Sequence, residues 1–183
     1  MKITVICLFC IIILFSGCTF DYGDNESSDD GLPDLIMENV DYVRVRSADP
    51  LARLHAERVE RYEKQSVVKM QNVTFEQYGE RGAEVNVLGS TGNAVIEIDS
   101  GDIFMDSNVR IEVLTEDIIL ETYQLEWRDE PKTITSGESY EVFVYRDNGT
   151  SFSGMGLHGN TRSRSWEFLG NVRGTYIYDE GDE

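Results

Sequence analysis

The sequence predicts an all-β domain of antiparallel strands, packed face to face as a sandwich, barrel or jelly roll. Three observations carry that expectation. Apolar and polar residues alternate with a period of two over most of residues 40–178, as in half-buried strands. β-Branched and aromatic residues fill the alternating runs. Short clusters of Gly, Asn, Asp and Ser interrupt the runs at close intervals, as hairpin turns do.

Residues 1–17 read as an export signal. Lys2 supplies a short positive start, and Ile3 to Phe15 form an apolar run of 13 residues. That length suits a signal peptide and is too short to span a bilayer as a helix. The run ends in Leu14-Phe15-Ser16-Gly17-Cys18. Small residues directly before a cysteine resemble a bacterial lipobox, which implies cleavage before Cys18 and acylation of that residue. Phe15 departs from the usual leucine three positions before the cysteine. An ordinary secretion signal and an uncleaved anchor are the alternatives. Residues 18–37 read as an acidic flexible tether, with Asp21, Asp24, Glu26, Asp29 and Asp30 among Ser, Asn and Gly. Residues 38–178 form the domain, and the acidic tail 179–183 is expected to fray.

Within the domain, Val43 and Val45 alternate with Arg44 and Arg46. Residues 50–64 show partial helical spacing at Leu51, Leu54, Arg58 and Arg61. Leu54, Ala56 and Arg58 also fit a strand, and a strand is expected there. Val85 and Val87 alternate with Glu84 and Asn86. Val109, Ile111 and Val113 alternate with Arg110 and Glu112, and Val142 and Val144 with Glu141, Phe143 and Tyr145. Turns are expected at 79–82, 89–93, 99–102, 147–149 and 158–160. The pair Asn148-Gly149 is the strongest hairpin signal. No helix is then available to cover a sheet, so apolar faces must pack on each other. Two facing sheets enclose a channel of apolar side chains. The candidate lining is Val85, Val87, Ile96, Ile98, Val109, Ile111, Val113, Leu120, Leu125, Trp127, Val142, Val144 and Phe168. These residues form either the wall of a splayed cleft or a dry, closed core.

Composition narrows the function. The chain has 183 residues and a formal charge of −18. Such a surface repels a phosphate backbone, so no nucleic-acid partner is expected. The three cysteines, Cys7, Cys10 and Cys18, all lie near the start, which leaves the body no disulfide and no cysteine cluster for a metal. His55 and His158 stand in no motif, and there is no G-x-x-x-x-G-K-[ST] phosphate loop. A jelly-roll glycosidase would need paired carboxylates, and no pair stands out among the 34 acids. No enzyme activity, metal or cofactor is expected. Bases gather at the start and end of the domain: residues 41–70 and 161–178 each carry a balance of +2, and residues 71–160 carry −12. If those segments are sheet edges, Arg44, Arg46, Arg53, Arg58, Arg162, Arg164 and Arg173 meet acidic partners or lipid phosphates. The blander reading is that charged edges prevent unwanted strand pairing.

The order of segments carries a family resemblance. Asp49-Pro50-Leu51-Ala52-Arg53-Leu54-His55-Ala56-Glu57 comes first. Asp102-Ile103-Phe104-Met105, Asn108-Val109-Arg110-Ile111 and Leu120-Glu121-Thr122-Tyr123-Gln124-Leu125-Glu126-Trp127 follow. Then come Thr133-Ile134-Thr135-Ser136, Tyr140-Glu141-Val142, Ser153-Gly154-Met155-Gly156-Leu157 and Phe168-Leu169-Gly170-Asn171-Val172-Arg173-Gly174. Over about residues 38–178 this order resembles the periplasmic lipopolysaccharide-export family LptC and its LptA/OstA-type relatives. Members often carry an N-terminal transmembrane helix where this chain has a lipobox. The resemblance implies an open β jelly roll whose interior shields the acyl chains of a glycolipid. It also implies an inner-membrane ABC-type export complex as donor and an LptA-like periplasmic protein as acceptor, docked edge to edge. The expected protein is thus a glycolipid (lipopolysaccharide) carrier in the cell envelope, held at the periplasmic face of the inner membrane through lipidated Cys18. A non-catalytic structural or protein-interaction lipoprotein is the alternative, and it predicts a closed core without lipid.

Overall fold

The computed structural model describes residues 31–79 and 84–178. These residues form nine strands: β1 (Leu35–Arg46), β2 (Asp49–Tyr62), β3 (Val67–Tyr78), β4 (Val85–Glu97), β5 (Ile103–Val113), β6 (Ile118–Arg128), β7 (Thr133–Arg146), β8 (Ser151–Asn160) and β9 (Ser165–Thr175). Every strand pairs antiparallel with the next, in the order β1 to β9, in one sheet. The all-β expectation holds, and the segment with partial helical spacing is strand β2. The two faces expected from separate sheets belong to one sheet folded on itself.

Boundaries differ from the expectation in three places. The tether expected to run to residue 37 ends sooner, because Leu35, Ile36 and Met37 already pair with Arg61, Glu60 and Val59. The sequence cue there was acidity, and Glu38 is tolerated because it faces Arg58. The turns expected at 89–93 and 158–160 are strand, within β4 and β8. Their glycines serve close packing. A Cβ on Gly89 would lie 2.0 Å from Cζ of Phe75, and one on Gly159 would lie 2.8 Å from Cε3 of Trp166. The hairpin at Asn148-Gly149 forms as expected: Gly149 has φ +86, and Arg146 N–H donates to Thr150 O at 2.8 Å. The signal segment, Cys18, most of the tether and the tail 179–183 lie outside the described residues.

A seam of irregularity crosses the sheet midway along the strands. Perfect alternation would space buried residues by two. Instead Ala56 and Val59 on β2 are both buried at a spacing of three, as are Met70 and Val73 on β3, Thr91 and Ala94 on β4, and Thr122 and Leu125 on β6. The inward phase therefore slips by one residue in mid-strand. Backbone features mark the slip. Asn39, Asn72, Ser107, Asn108 and Asn171 hold positive φ, and asparagine is among the few side chains that tolerate it. The ladders skip at Ser90/Asn93, Asp106/Val109, Thr122/Glu126 and Ser136/Glu141. Bulges of this kind bend a strand and increase its twist.

The bent sheet curls over its own core. In a flat sheet β1 and β6 would lie about 24 Å apart, five strand spacings. Yet Arg44 of β1 is near enough to Asp129, just after β6, for its charge to help depress that carboxyl. The enclosed cluster comprises Ala56, Val59, Met70, Val73, Ala94, Met105, Val109, Leu120, Leu125, Val142 and Leu157. It draws on both halves of the folded sheet. β1 and β9 each have one neighbour among the described strands, so both outer edges are unpaired there.

Candidate functional site

Twelve of the thirteen candidate lining residues share the face that carries the core. Register explains this. Gly89, Ile111, Leu120 and Val144 stand opposite one another across β4 to β7, and Val87 opposite Val113 continues that face toward one end. At the other end, Ile96, Ile103, Trp127 and Ile134 form a second row. Val85 follows Val87 by one strand period, and Phe168 stands opposite buried Leu157. The exception is Ile98. It falls just past the end of β4, in the turn, and is 45% exposed. Its backbone N–H donates to Ser66 O, which fixes it beside the β2–β3 turn instead of inside. It belongs to no wall.

The twelve are not equivalent. Val109, Leu120, Leu125 and Val142 are buried, and Leu125 and Val142 have no exposed surface at all. They close the middle of the fold. Val87, Ile96, Ile111, Val113, Trp127, Val144 and Phe168 are half-buried and line the inner face to either side. Lys132 stacks its ammonium 5.7 Å from the Trp127 ring centroid, at the end where the turns gather.

Sequence reasoning missed how aromatic rings roof this face. A Cβ on Gly89, Gly154, Gly159 or Gly174 would collide with Phe75, Phe168, Trp166 or Phe152 respectively, each from the neighbouring strand. With only hydrogen at those positions, the rings lie down on the sheet and do not stand up into the interior. The readable signal was a glycine inside an alternating run next to a strand bearing an aromatic. Phe75 borders both of the small surface cavities found here, of about 240 and 270 Å³. Tyr42 and Leu54 line the first, and Leu88 and Gly89 line the second.

The expected edge bases sit at the edges. Arg44 and Arg46 are on β1, Arg173 is on β9, and Arg162 and Arg164 are in the β8–β9 turn. Arg162 faces Glu130 at 3.7 Å. Arg53 and Arg58 do not belong with them, because they lie on β2, one strand in. Arg53 stacks on Tyr78, and Arg58 donates to Glu38 at 2.5 Å and to Glu60 at 2.8 Å. The Arg58–Glu38 pair ties β1 to β2, as does the 2.9 Å contact of His55 with Asp41. Otherwise β1 is exposed almost throughout, on both faces.

Carboxylates with shifted protonation serve the turns. The backbone N–H of Asp129 and the Arg128 guanidinium hold the Asp102 carboxyl below its ordinary range. Lys132, 2.5 Å away, does the same for Asp129. These contacts join the β4–β5 turn to the β6–β7 turn. No group of three metal-type ligands occurs among the described residues.

Comparison with known proteins agrees with this architecture. The model of the family described as "Lipopolysaccharide-assembly, LptC-related" matches residues 4–177. Among solved structures, the fold is similar to LptH from Pseudomonas aeruginosa, described as the LptA-homologous periplasmic component of the lipopolysaccharide transport device. The TM-score is 0.53 at 11% identity, over 69% of this chain and 95% of that one. No curated protein matches the sequence. The family is one of transport-bridge components, not of enzymes. An open, curled antiparallel sheet with an apolar inner face and a family match over nearly the whole length lead to one conclusion: the chain belongs to the LptC-related lipopolysaccharide-assembly family.

Proposed function

We propose that the chain is a membrane-tethered carrier. It shields the acyl chains of a glycolipid against the inner face of its sheet and passes the lipid to the next component of an export bridge. The observation that carries this reading is the half-buried apolar lining on one face of a sheet whose two edges are unpaired. Each CH₂ withdrawn from water contributes about 0.8 kcal/mol, so a glycolipid with several chains needs such a face to cross an aqueous compartment. Cavities of 240 and 270 Å³ fall below the roughly 300–1,000 Å³ of ordinary ligand pockets. Acyl chains therefore enter by parting the half-buried side chains, with Phe75 the ring that must move. The unpaired edges suit donor and acceptor docking by strand addition, with Arg44, Arg46, Arg162, Arg164 and Arg173 beside acidic partners or lipid phosphates. The donor is an inner-membrane ABC-type complex, and the acceptor is an LptA-like protein. Cys18, once acylated, holds the chain at the periplasmic face of the inner membrane.

The closed middle at Leu125 and Val142 favours the second reading, an interaction lipoprotein with no lipid cargo. Native mass spectrometry of the full chain, purified from a lipopolysaccharide-containing envelope, separates the two. Added mass that is lost in a folded Ile111→Asp variant supports the carrier. A chain that stays lipid-free after lipopolysaccharide is supplied, or that holds lipid equally well with Ile111→Asp, refutes it. Cys18→Ala is expected to release the protein from membranes, and continued retention would point to an uncleaved anchor.

A further inference from the structure

The outer face of the sheet carries aromatic rings that the carrier reading does not use. Phe143 and Tyr145 alternate with inward Val142 and Val144, so they point outward. Their rings are nearly parallel, at 5°, with centroids 6.3 Å apart. Next to them, Tyr123 and Tyr140 stack at 5.3 Å and 24°. All four belong to β6 and β7.

Register fixes their neighbours. One row across the outer face reads Glu121, Phe143, Ser153, Arg173, and the next reads Ile119, Tyr145, Ser151, Thr175. The Glu121 carboxylate is already taken by Arg110. Arg173 makes no ion pair among the described residues. Beyond the rings, the surface therefore offers two serine hydroxyls, a threonine and an uncommitted cation, about two strand spacings or 10 Å from the rings.

That pattern fits a sugar better than a protein. The centre of a protein interface is a contiguous, well-packed apolar patch. Here the apolar surface is ring faces bordered by hydroxyls. A pyranose has an apolar C–H face that packs on an aromatic ring, and its rim of hydroxyls needs hydrogen-bond partners beside that ring. The free guanidinium adds preference for an anionic substituent.

We propose that the outer face of β6–β9 binds a saccharide bearing an anionic group, with its sugar faces on Phe143 and Tyr145 and its anion at Arg173. The saccharide comes either from the headgroup of a glycolipid or from cell-wall glycan. The full chain in detergent would be titrated calorimetrically with three probes: the phosphorylated oligosaccharide released by delipidating lipopolysaccharide, a muramic-acid-containing disaccharide, and neutral chitotriose. Binding of either anionic probe in preference to chitotriose is expected, and the tighter one identifies the source. Phe143→Ala with Tyr145→Ala is expected to weaken binding about tenfold or more, from the loss of two stacked rings. Arg173→Gln is expected to abolish the preference for the anionic probes. If the double variant does not fold, Phe143→Leu keeps an apolar side chain without a ring face and is expected to weaken binding in the same direction. Ile111→Asp, on the opposite face, should leave saccharide binding unchanged, which separates this site from the acyl-binding reading. Failure of all three probes to bind at millimolar concentration overturns the proposal. So does equal binding by wild type and the Phe143 variants, or a surface that instead retains a protein through these rings.

Discussion

The sharpest test of the distinction between closed centre and half-open wall is a pair of truncations. Leu125 has no exposed surface, faces Met105 across β5–β6, and belongs to the cluster with Val109, Val142 and Leu157. Leu125→Ala removes three carbons, at about 0.8 kcal/mol each for transfer alone. The residual cavity adds to that, and buried Leu→Ala changes cost about 2–5 kcal/mol. About 3 kcal/mol is expected here. At about 2–4 °C per kcal/mol for a domain of this size, the melting temperature should fall by about 6–12 °C. Ile111 sits four strands in from β9 on the same face but is only half-buried, opposite Gly89 and Leu120. Ile111→Ala should therefore cost about half as much, or about 3–6 °C. The assay is thermal unfolding of the full chain followed by circular dichroism, with urea midpoints as a check. Equal losses at the two positions would refute the reasoning, because they would place Ile111 in the closed core and remove the wall from which a lipid face is built.

Two further outcomes follow from the turns and the glycines. Asp102 and Asp129 have folded-state pKa values below their ordinary ones, so their contribution is complete above the unfolded carboxylate range and is lost as pH falls through the folded values. The melting temperature should drop between about pH 5 and pH 3, and Asp102→Asn should make that drop shallower; identical acid profiles would show that the turn contacts contribute nothing. Gly89→Ala places a Cβ 2.0 Å from the Phe75 ring and should cost about 1–3 kcal/mol by overpacking. Gly170→Ala meets nothing within 4 Å and should be near neutral; urea midpoints that shift alike in the two variants would sink the ring-over-glycine account.

Much of the fold was legible because it rests on period-two patterning. Val85 to Val113 and Val142 to Val144 fall on one face as alternation requires. The Asn148-Gly149 hairpin follows from φ > 0 chemistry at Gly149. What failed to read correctly was the seam. A mid-strand slip interrupts alternation just as a turn does, so Gly89 to Asn93 looked like a loop. Only the identity of the cross-strand neighbours, Phe75 at Gly89 and Ser107 at Gly92, separates the two, and that is long-range information. The same limit explains the site. Alternation tells which residues point inward but not how deeply, so buried Leu125 and half-buried Ile111 looked alike. It says nothing about Ile98, where the strand has already ended and the residue turns outward.

The sequential strand order bears directly on how cargo reaches the inner face. A barrel would remove both edges by hydrogen-bonding β9 back to β1, and a guest could then enter only through an end. Here β1 and β9 remain unpaired on their outer sides, although the sheet curls far enough for Arg44 to be felt at Asp129. The curl buries Leu125 and Val142 without closing the ladder, so the same fold has a closed core and an open flank. β1 is the least buried strand, and its named side-chain ties to β2 are Arg58–Glu38 and His55–Asp41, with exposed apolar residues such as Leu35, Tyr42 and Val45 between them. A strand held mainly by one backbone ladder opens at lower cost than the strands that carry the core. Lateral entry past β1 would therefore leave Leu125 and Val142 packed, whereas entry through an end would have to disturb the rows at Trp127 or Val113. The topology thus assigns the moving part to the edge and the stable part to β4–β7, where the half-buried lining is anchored.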